Sequence, residues 1–184
     1  LQIFLGNVSD RCAVGGVAHK VGPDVEAVLG GLDLLDVIPA HDFASRPARA
    51  LRDGEEFSIG NRRMKWFYTP HVPHGWDCGV LFDLSTKTLL CGDLFTQPGA
   101  NMPAVTESEV PTASEAMRGV MHYYAHATST TAILGRLADL QPAMLACQHG
   151  SAYRGDSAAL LRELSATIER GNANASAPPF AMTA

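Results

Sequence analysis

The chain reads as an α/β protein with layered packing, and three observations carry that reading. Short apolar runs bounded by Gly, Pro and polar clusters recur up to Cys91, as strands do. From Thr112 onward apolar residues recur at i, i+3, i+4 and i+7, the period of a helix face. One more apolar run, Ala143 to Cys147, returns between two such helices, so strands and helices interleave. At 184 residues, 46% hydrophobic and 18% charged, the chain has the length and composition of one soluble domain with a core. We assign that domain to residues 1–170. Residues 171–184, rich in Ala, Asn, Ser and Pro, are expected to form a mobile tail.

Taken in order, Gln2 to Leu5 is an apolar run stopped by Gly6 and reads as a buried strand. Asn7 to Gly16 is a loop. Asp24 to Leu29 follows Pro23 and reads as a short helix. Leu32 to Ile38 suits a strand, and His41 to Arg52 a polar connection. Glu56–Ile59 and Arg62–Tyr68 flank Gly60-Asn61, a two-residue hairpin signal. Val80 to Leu84 and Thr88 to Cys91 are two more strands around a turn at Ser85 to Lys87. Pro98 to Pro111 is a loop long enough to cover a site. Thr112 with Glu115 fits a capping box, ahead of a stripe of Met117, Val120, Met121 and Tyr124. Thr128 to Leu140 repeats the stripe with Ile133, Leu134, Leu137 and Leu140. Asp156 caps a last helix with Leu160, Leu161, Leu164 and Ile168 on one face.

Charge and composition exclude several classes. The net charge is −5 and no Lys/Arg run appears, which argues against nucleic acid as a partner. No apolar run approaches the roughly 20 residues of a membrane span, and no signal peptide is visible, so a cytoplasmic protein is expected. The four cysteines, Cys12, Cys78, Cys91 and Cys147, contain no C-x-x-C pair and read as buried, reduced thiols. No G-x-S-x-G elbow, phosphate loop or dinucleotide fingerprint is present.

The chemistry-bearing residues sit in loops that follow apolar runs. His71 and His74 lie in a Pro-rich loop, Asp93 follows Leu89 to Gly92, and His149 follows Met144 to Gln148. A carboxylate ending a buried strand costs free energy unless something pairs with it, and Pro98 and Gly99 argue against a helix for Asp93 to cap. Neutral imidazole nitrogens and a carboxylate converging at strand ends are a metal-ligand set. His71 is assigned to the rim, since two histidines three apart in an extended loop rarely reach one ion. His122 and His126 read as surface histidines; His19 and His41 lack a comparable context.

These residues resemble the metallo-β-lactamase fold superfamily, and within it the flavodiiron proteins and stand-alone oxygen-binding diiron domains. His74 and Asp93 have 18 residues between them, the spacing of that branch, and His149 in Gln-His-Gly-Ser-Ala-Tyr-Arg matches its final histidine, with Arg154 at the rim. The first motif, H-x-E-x-D in the family, departs: with Asp10 on its aspartate, Gly6 and Val8 stand at its histidine and glutamate. The resemblance implies an αβ/βα sandwich, incomplete at its N-terminus, with Asp10, His74, Asp93 and His149 as metal ligands. It implies iron, diiron or mononuclear, that binds or reduces dioxygen or nitric oxide with electrons from a flavin-containing partner. No flavodoxin-like segment appears, so no flavin site is expected in this chain. The alternatives are a zinc hydrolase of the same superfamily acting on a small-molecule substrate, and a non-catalytic relic of the fold. The unblunted run Ile3 to Leu5, left at a sheet edge, leads us to expect a homodimer or marginal stability.

Overall fold

A computed structural model describes residues 28–30, 49–75, 78–108, 110–125 and 127–175. The expectations for Gln2–Leu5, Asn7–Gly16, Leu32–Ile38 and Asp10 lie outside these residues.

The centre is a seven-stranded sheet, and four of its strands form a meander that local sequence dictates. β3 (Glu56–Ile59) turns into β4 (Arg62–Tyr68) at Gly60-Asn61. Gly60 takes φ +59°, the left-handed value that the first position of this tight hairpin requires and that glycine adopts without strain. β5 (Gly79–Asp83) pairs antiparallel with β4, and β6 (Thr88–Gly92) with β5. The β5–β6 turn is held by Asp83, whose Oδ1 accepts hydrogen bonds from the Ser85 and Thr86 amides at 2.8 and 3.3 Å. Every residue of β5 is buried, so both faces of the sheet are covered there.

The remaining strands are β7 (Val105–Thr106), β8 (Met144–Cys147) and β9 (Ala152–Tyr153), giving the order β3-β4-β5-β6-β8-β9-β7. β6 and β8 are parallel neighbours, with Leu89 opposite Leu145 and a register shift between Leu90 and Gly92. Between them run α1 (Pro111–Met121) and α2 (Thr130–Asp139); α3 (Ser157–Ala175) follows β9 and packs on α2. Leu134, Leu137, Leu161, Leu164 and Ile168 bury the helices against Phe67, Val80, Phe82, Leu89 and Leu145 on one sheet face. Each such side chain contributes about 1.5–3 kcal/mol relative to exposure. The opposite face carries Met64, Trp66 and Leu81. Leu51 covers them from a two-stranded parallel sheet of β1 (Val28–Gly30) and β2 (Arg49–Leu51). This is a mixed α/β sandwich with helices on the outside of the larger sheet.

Several expectations are corrected. Val28 and Leu29 are strand rather than the end of a helix, and Arg49–Leu51 is strand rather than connection; pairing between distant segments overrides the local signals of Pro23 and Pro47. The loop from Pro98 contains β7, and its last residue, Pro111, begins α1. Pro111 presets the helical φ, so Val110 occupies the cap position and the Thr112/Glu115 capping box does not form. Glu115 pairs with Arg118 instead. The α1 stripe is not a core face: Val120 and Met121 are 77% and 58% exposed, and Tyr124 is buried beyond the helix. α3 extends to Ala175. Asp156 does cap α3, accepting a hydrogen bond from the Ala159 amide at 2.9 Å.

Candidate metal centre

Sheet direction brings the histidines and the aspartate to one place. β4 is antiparallel to β5 and β5 to β6, so β4 and β6 run the same way; β8 is parallel to β6. The C-terminal ends of β4, β6 and β8 therefore lie at one end of the sheet, where ligand sites of parallel α/β sheets form. The loop after β4 carries His71 and His74, Asp93 follows β6, and His149 follows β8.

Asp93 is the hub. Its Oδ2 lies 2.7 Å from His74 Nε2, and its Oδ1 lies 3.4 Å from His149 Nε2. Oδ1 is buried and has no hydrogen-bond partner. The hydrogen bond with His74 holds the Asp93 carboxyl below the usual carboxylate range against the opposing effect of burial, and the nearby His149 adds to it. The loop is fixed from behind: Thr96 donates both its amide and its hydroxyl to the Asp93 carbonyl, at 3.3 and 2.9 Å. Gly92 adopts φ +56° at the end of β6, which turns the chain out of the sheet.

His74 is positioned by a compact loop. The Val72 amide donates to the Thr69 carbonyl, the Thr69 hydroxyl donates to the Val72 carbonyl, and the Ala125 amide donates to the Pro73 carbonyl. The Val72–Pro73 peptide is cis. His149 is tied by its backbone, its carbonyl accepting from the Gln97 amide, while its side chain is half exposed. Gly150 permits this closure: a Cβ there would lie 2.7 Å from Gln97 Cβ, and its φ is +105°.

His71 is exposed with φ 61°, and no contact with Asp93 places it in the cluster. Arg154 is exposed, with its amide donating to the Thr106 carbonyl. His122 is exposed at the end of α1. Asp10 and His126 lie outside the described residues. Sequence reasoning missed Tyr123, whose hydroxyl donates to the Asp93 carbonyl at 3.2 Å and whose ring centroid is 5.6 Å from that of His74. Nothing local marks it, because 30 residues separate it from Asp93.

The two histidines address opposite oxygens of one carboxylate, as ligands on either side of a bridging group do. Among the described residues no group of three or more His, Cys, Asp or Glu side chains is gathered to hold one metal ion. Each side of Asp93 thus offers one imidazole and one shared carboxylate oxygen, short of the three or four protein donors of a closed site. The described residues alone do not complete a site for a metal pair.

The fold matches that of solved flavodiiron proteins and of a diiron chemotaxis sensor, the metallo-β-lactamase fold. Several solved structures carry the likeness, among them the following three. Rubredoxin oxygen:oxidoreductase from the anaerobe Desulfovibrio gigas is 19% identical, with a TM-score of 0.57 over 78% of this chain and 38% of its own. The putative diflavin flavoprotein A 5 (fragment 1–254) of Nostoc sp. PCC 7120 is 19% identical, with a TM-score of 0.61 over 80% and 58%. The apo chemotaxis sensor ODP from T. denticola is 18% identical, with a TM-score of 0.58 over 79% and 63%. The chain therefore spans less than two thirds of the length of each. No family model and no curated protein sequence matches it. No helix among the described residues is long and apolar enough to cross a membrane.

Proposed function

We propose that this chain is a diiron-type metal-binding domain with a depleted site, binding dioxygen or nitric oxide through iron centred on Asp93. The observation that carries the reading is the grip on that carboxylate: one histidine at each oxygen, with Oδ1 buried and without a hydrogen-bond partner. A buried acceptor left without a partner costs about 1–3 kcal/mol, and a cation beside it removes that cost. The resemblance adds Asp10 as a further ligand, and assigns His71 and Arg154 to the rim. Gly6 and Val8, at positions where the resembling proteins carry histidine and glutamate, support depletion. The likeness to an oxygen:oxidoreductase and to the chemotaxis sensor ODP, which has been solved as a peroxy diiron species, supports iron and a small diatomic ligand, and the likeness to a diflavin flavoprotein supports electrons arriving from a flavin-containing partner chain.

Elemental analysis of protein purified without chelator, followed by anaerobic ferrous titration and a visible spectrum before and after air, tests this. Fewer than two tightly held metals per chain are expected, with absorption that responds to dioxygen. Asp93→Ala should lose the binding altogether, because a ligand and its neutralising charge go together. Two stoichiometric, tightly held metals, or equal binding by Asp93→Ala, would overturn the proposal. Colourless protein holding stoichiometric zinc and turning over an ester, lactam or phosphodiester would establish the hydrolase instead.

A further inference from the structure

Two cysteines far apart in sequence meet immediately behind the Asp93 cluster. Cys91 is on β6 and Cys147 on β8, each two residues ahead of Asp93 and His149 respectively. Leu89 and Leu145 are directly paired on the helix-covered face of the sheet. Two residues on, side chains return to that face, which places Cys91 and Cys147 side by side. The register shift between Leu90 and Gly92 sets Cys147 opposite Gly92, so the two cysteines are diagonal neighbours. Their sulfurs are 3.9 Å apart, and the Cys91 thiol points at the Cys147 sulfur. Cys91 is fully buried, whereas Cys147 is partly exposed and so gives a reagent a way in. Both are thiols in this structure, and a disulfide needs the sulfurs to close to about 2.05 Å, within reach of side-chain rotation and a small strand adjustment.

We propose that Cys91 and Cys147 form an oxidisable dithiol that a hydroperoxide converts to a disulfide, tying β6 to β8 directly behind Asp93 and His149. The chemistry balances in two steps. The Cys147 sulfur attacks the O–O bond of the hydroperoxide, becoming a sulfenic acid as an alcohol, or water from hydrogen peroxide, departs. The Cys91 sulfur then attacks the sulfenic sulfur, its proton leaves with the hydroxyl group as water, and the S–S bond forms. Two thiols lose two electrons and two protons in all, and the peroxide takes them. A buried resolving thiol already in contact with the sulfenic sulfur favours this closure over further oxidation. The inference does not depend on the metal reading.

The test uses the whole reduced protein, freed of reductant and treated with stoichiometric hydrogen peroxide. The expected result is a mass lower by about 2 Da, two fewer titratable thiols, and a Cys91–Cys147 cross-linked peptide in a non-reducing digest, all reversed by dithiothreitol. Cys78→Ser should leave the cross-link intact. Cys91→Ser should abolish it and let Cys147 gain about 16 Da as the sulfenic acid, or about 32 Da as the sulfinic acid once a second equivalent of peroxide is added. Three results would overturn the proposal: oxygen addition to Cys147 of the native protein without a cross-link, a cross-link through Cys12 or Cys78, or four unreacted thiols under conditions that oxidise a dithiol peptide. The native protein alone decides among these, should a variant fail to fold.

Discussion

Gly79 shows how far one atom can decide a strand. A Cβ placed there would lie 2.0 Å from the indole ring of Trp66, which packs flat against the backbone across the β4–β5 pair. Trp66 is itself almost fully buried, so it has nowhere to retreat. Gly79→Ala should destabilise the fold by about 3 kcal/mol, the upper end for overpacking a core. Gly119 makes the converse case. It lies exposed in α1, and a Cβ there meets nothing within 4 Å. Gly119→Ala should stabilise by up to about 1 kcal/mol, because alanine gives up less backbone freedom on folding and favours helix. Urea unfolding of both variants checks the opposite signs.

The β5–β6 hairpin depends on a buried carboxylate. Burial pushes the Asp83 carboxyl up, but the Arg62 guanidinium and the Ser85 and Thr86 groups outweigh it and leave the pKa below its ordinary value. A folded pKa below the unfolded one, near 3.9, means the unfolded chain binds the proton more tightly. The stabilisation is therefore fully present above about pH 4 and is lost as pH falls through the folded value. Asp83→Ala should cost about 1–3 kcal/mol at pH 7, since it removes the turn bonds and leaves Arg62 without this carboxylate. The difference between variant and parent should shrink in urea unfolding repeated near pH 3. A difference that is the same at both pH values would show that charge plays no part in the turn.

The helical layer is joined to the sheet through Arg136. From α2 it donates to the Tyr68 carbonyl at 2.6 Å, pairs with Asp53 at 2.6 Å, and holds its guanidinium 5.4 Å from the Phe67 ring centroid. The Asp53 pair is exposed on both sides and contributes little. The carbonyl bond and the stacking on Phe67 carry more, because a charged donor to a backbone acceptor contributes about 1.5–3 kcal/mol. Arg136→Ala should lower the thermal midpoint by several degrees, and Arg136→Lys should recover little of it, since an ammonium lacks the planar fork that reaches the carbonyl while lying on the ring. Full recovery by lysine would assign the effect to charge alone. Calorimetry on the three proteins measures this.

The strands from Glu56 to Gly92 and the buried faces of α2 and α3 were legible in the amino-acid order, because each is a local pattern of period two or near 3.6. Gly60-Asn61 marked its hairpin, Asp156 its cap, and Asp93 and His149 their places after apolar runs. The exposure of Val120 and Met121 was not legible: periodicity reports which residues share a face, and says nothing about whether another element arrives to cover it. The missing capping box and the β1–β2 pair escaped for related reasons, since Pro111 outweighs Thr112 locally and strand pairing joins segments whose own signals differ. The convergence of His74, Asp93 and His149, the contact of Tyr123 with Asp93, and the meeting of Cys91 with Cys147 all follow from strand order and direction. Hydrogen bonding between β6 and β8 sets these, across 51 intervening residues (from Met144 back to Gly92) whose local preferences do not encode it.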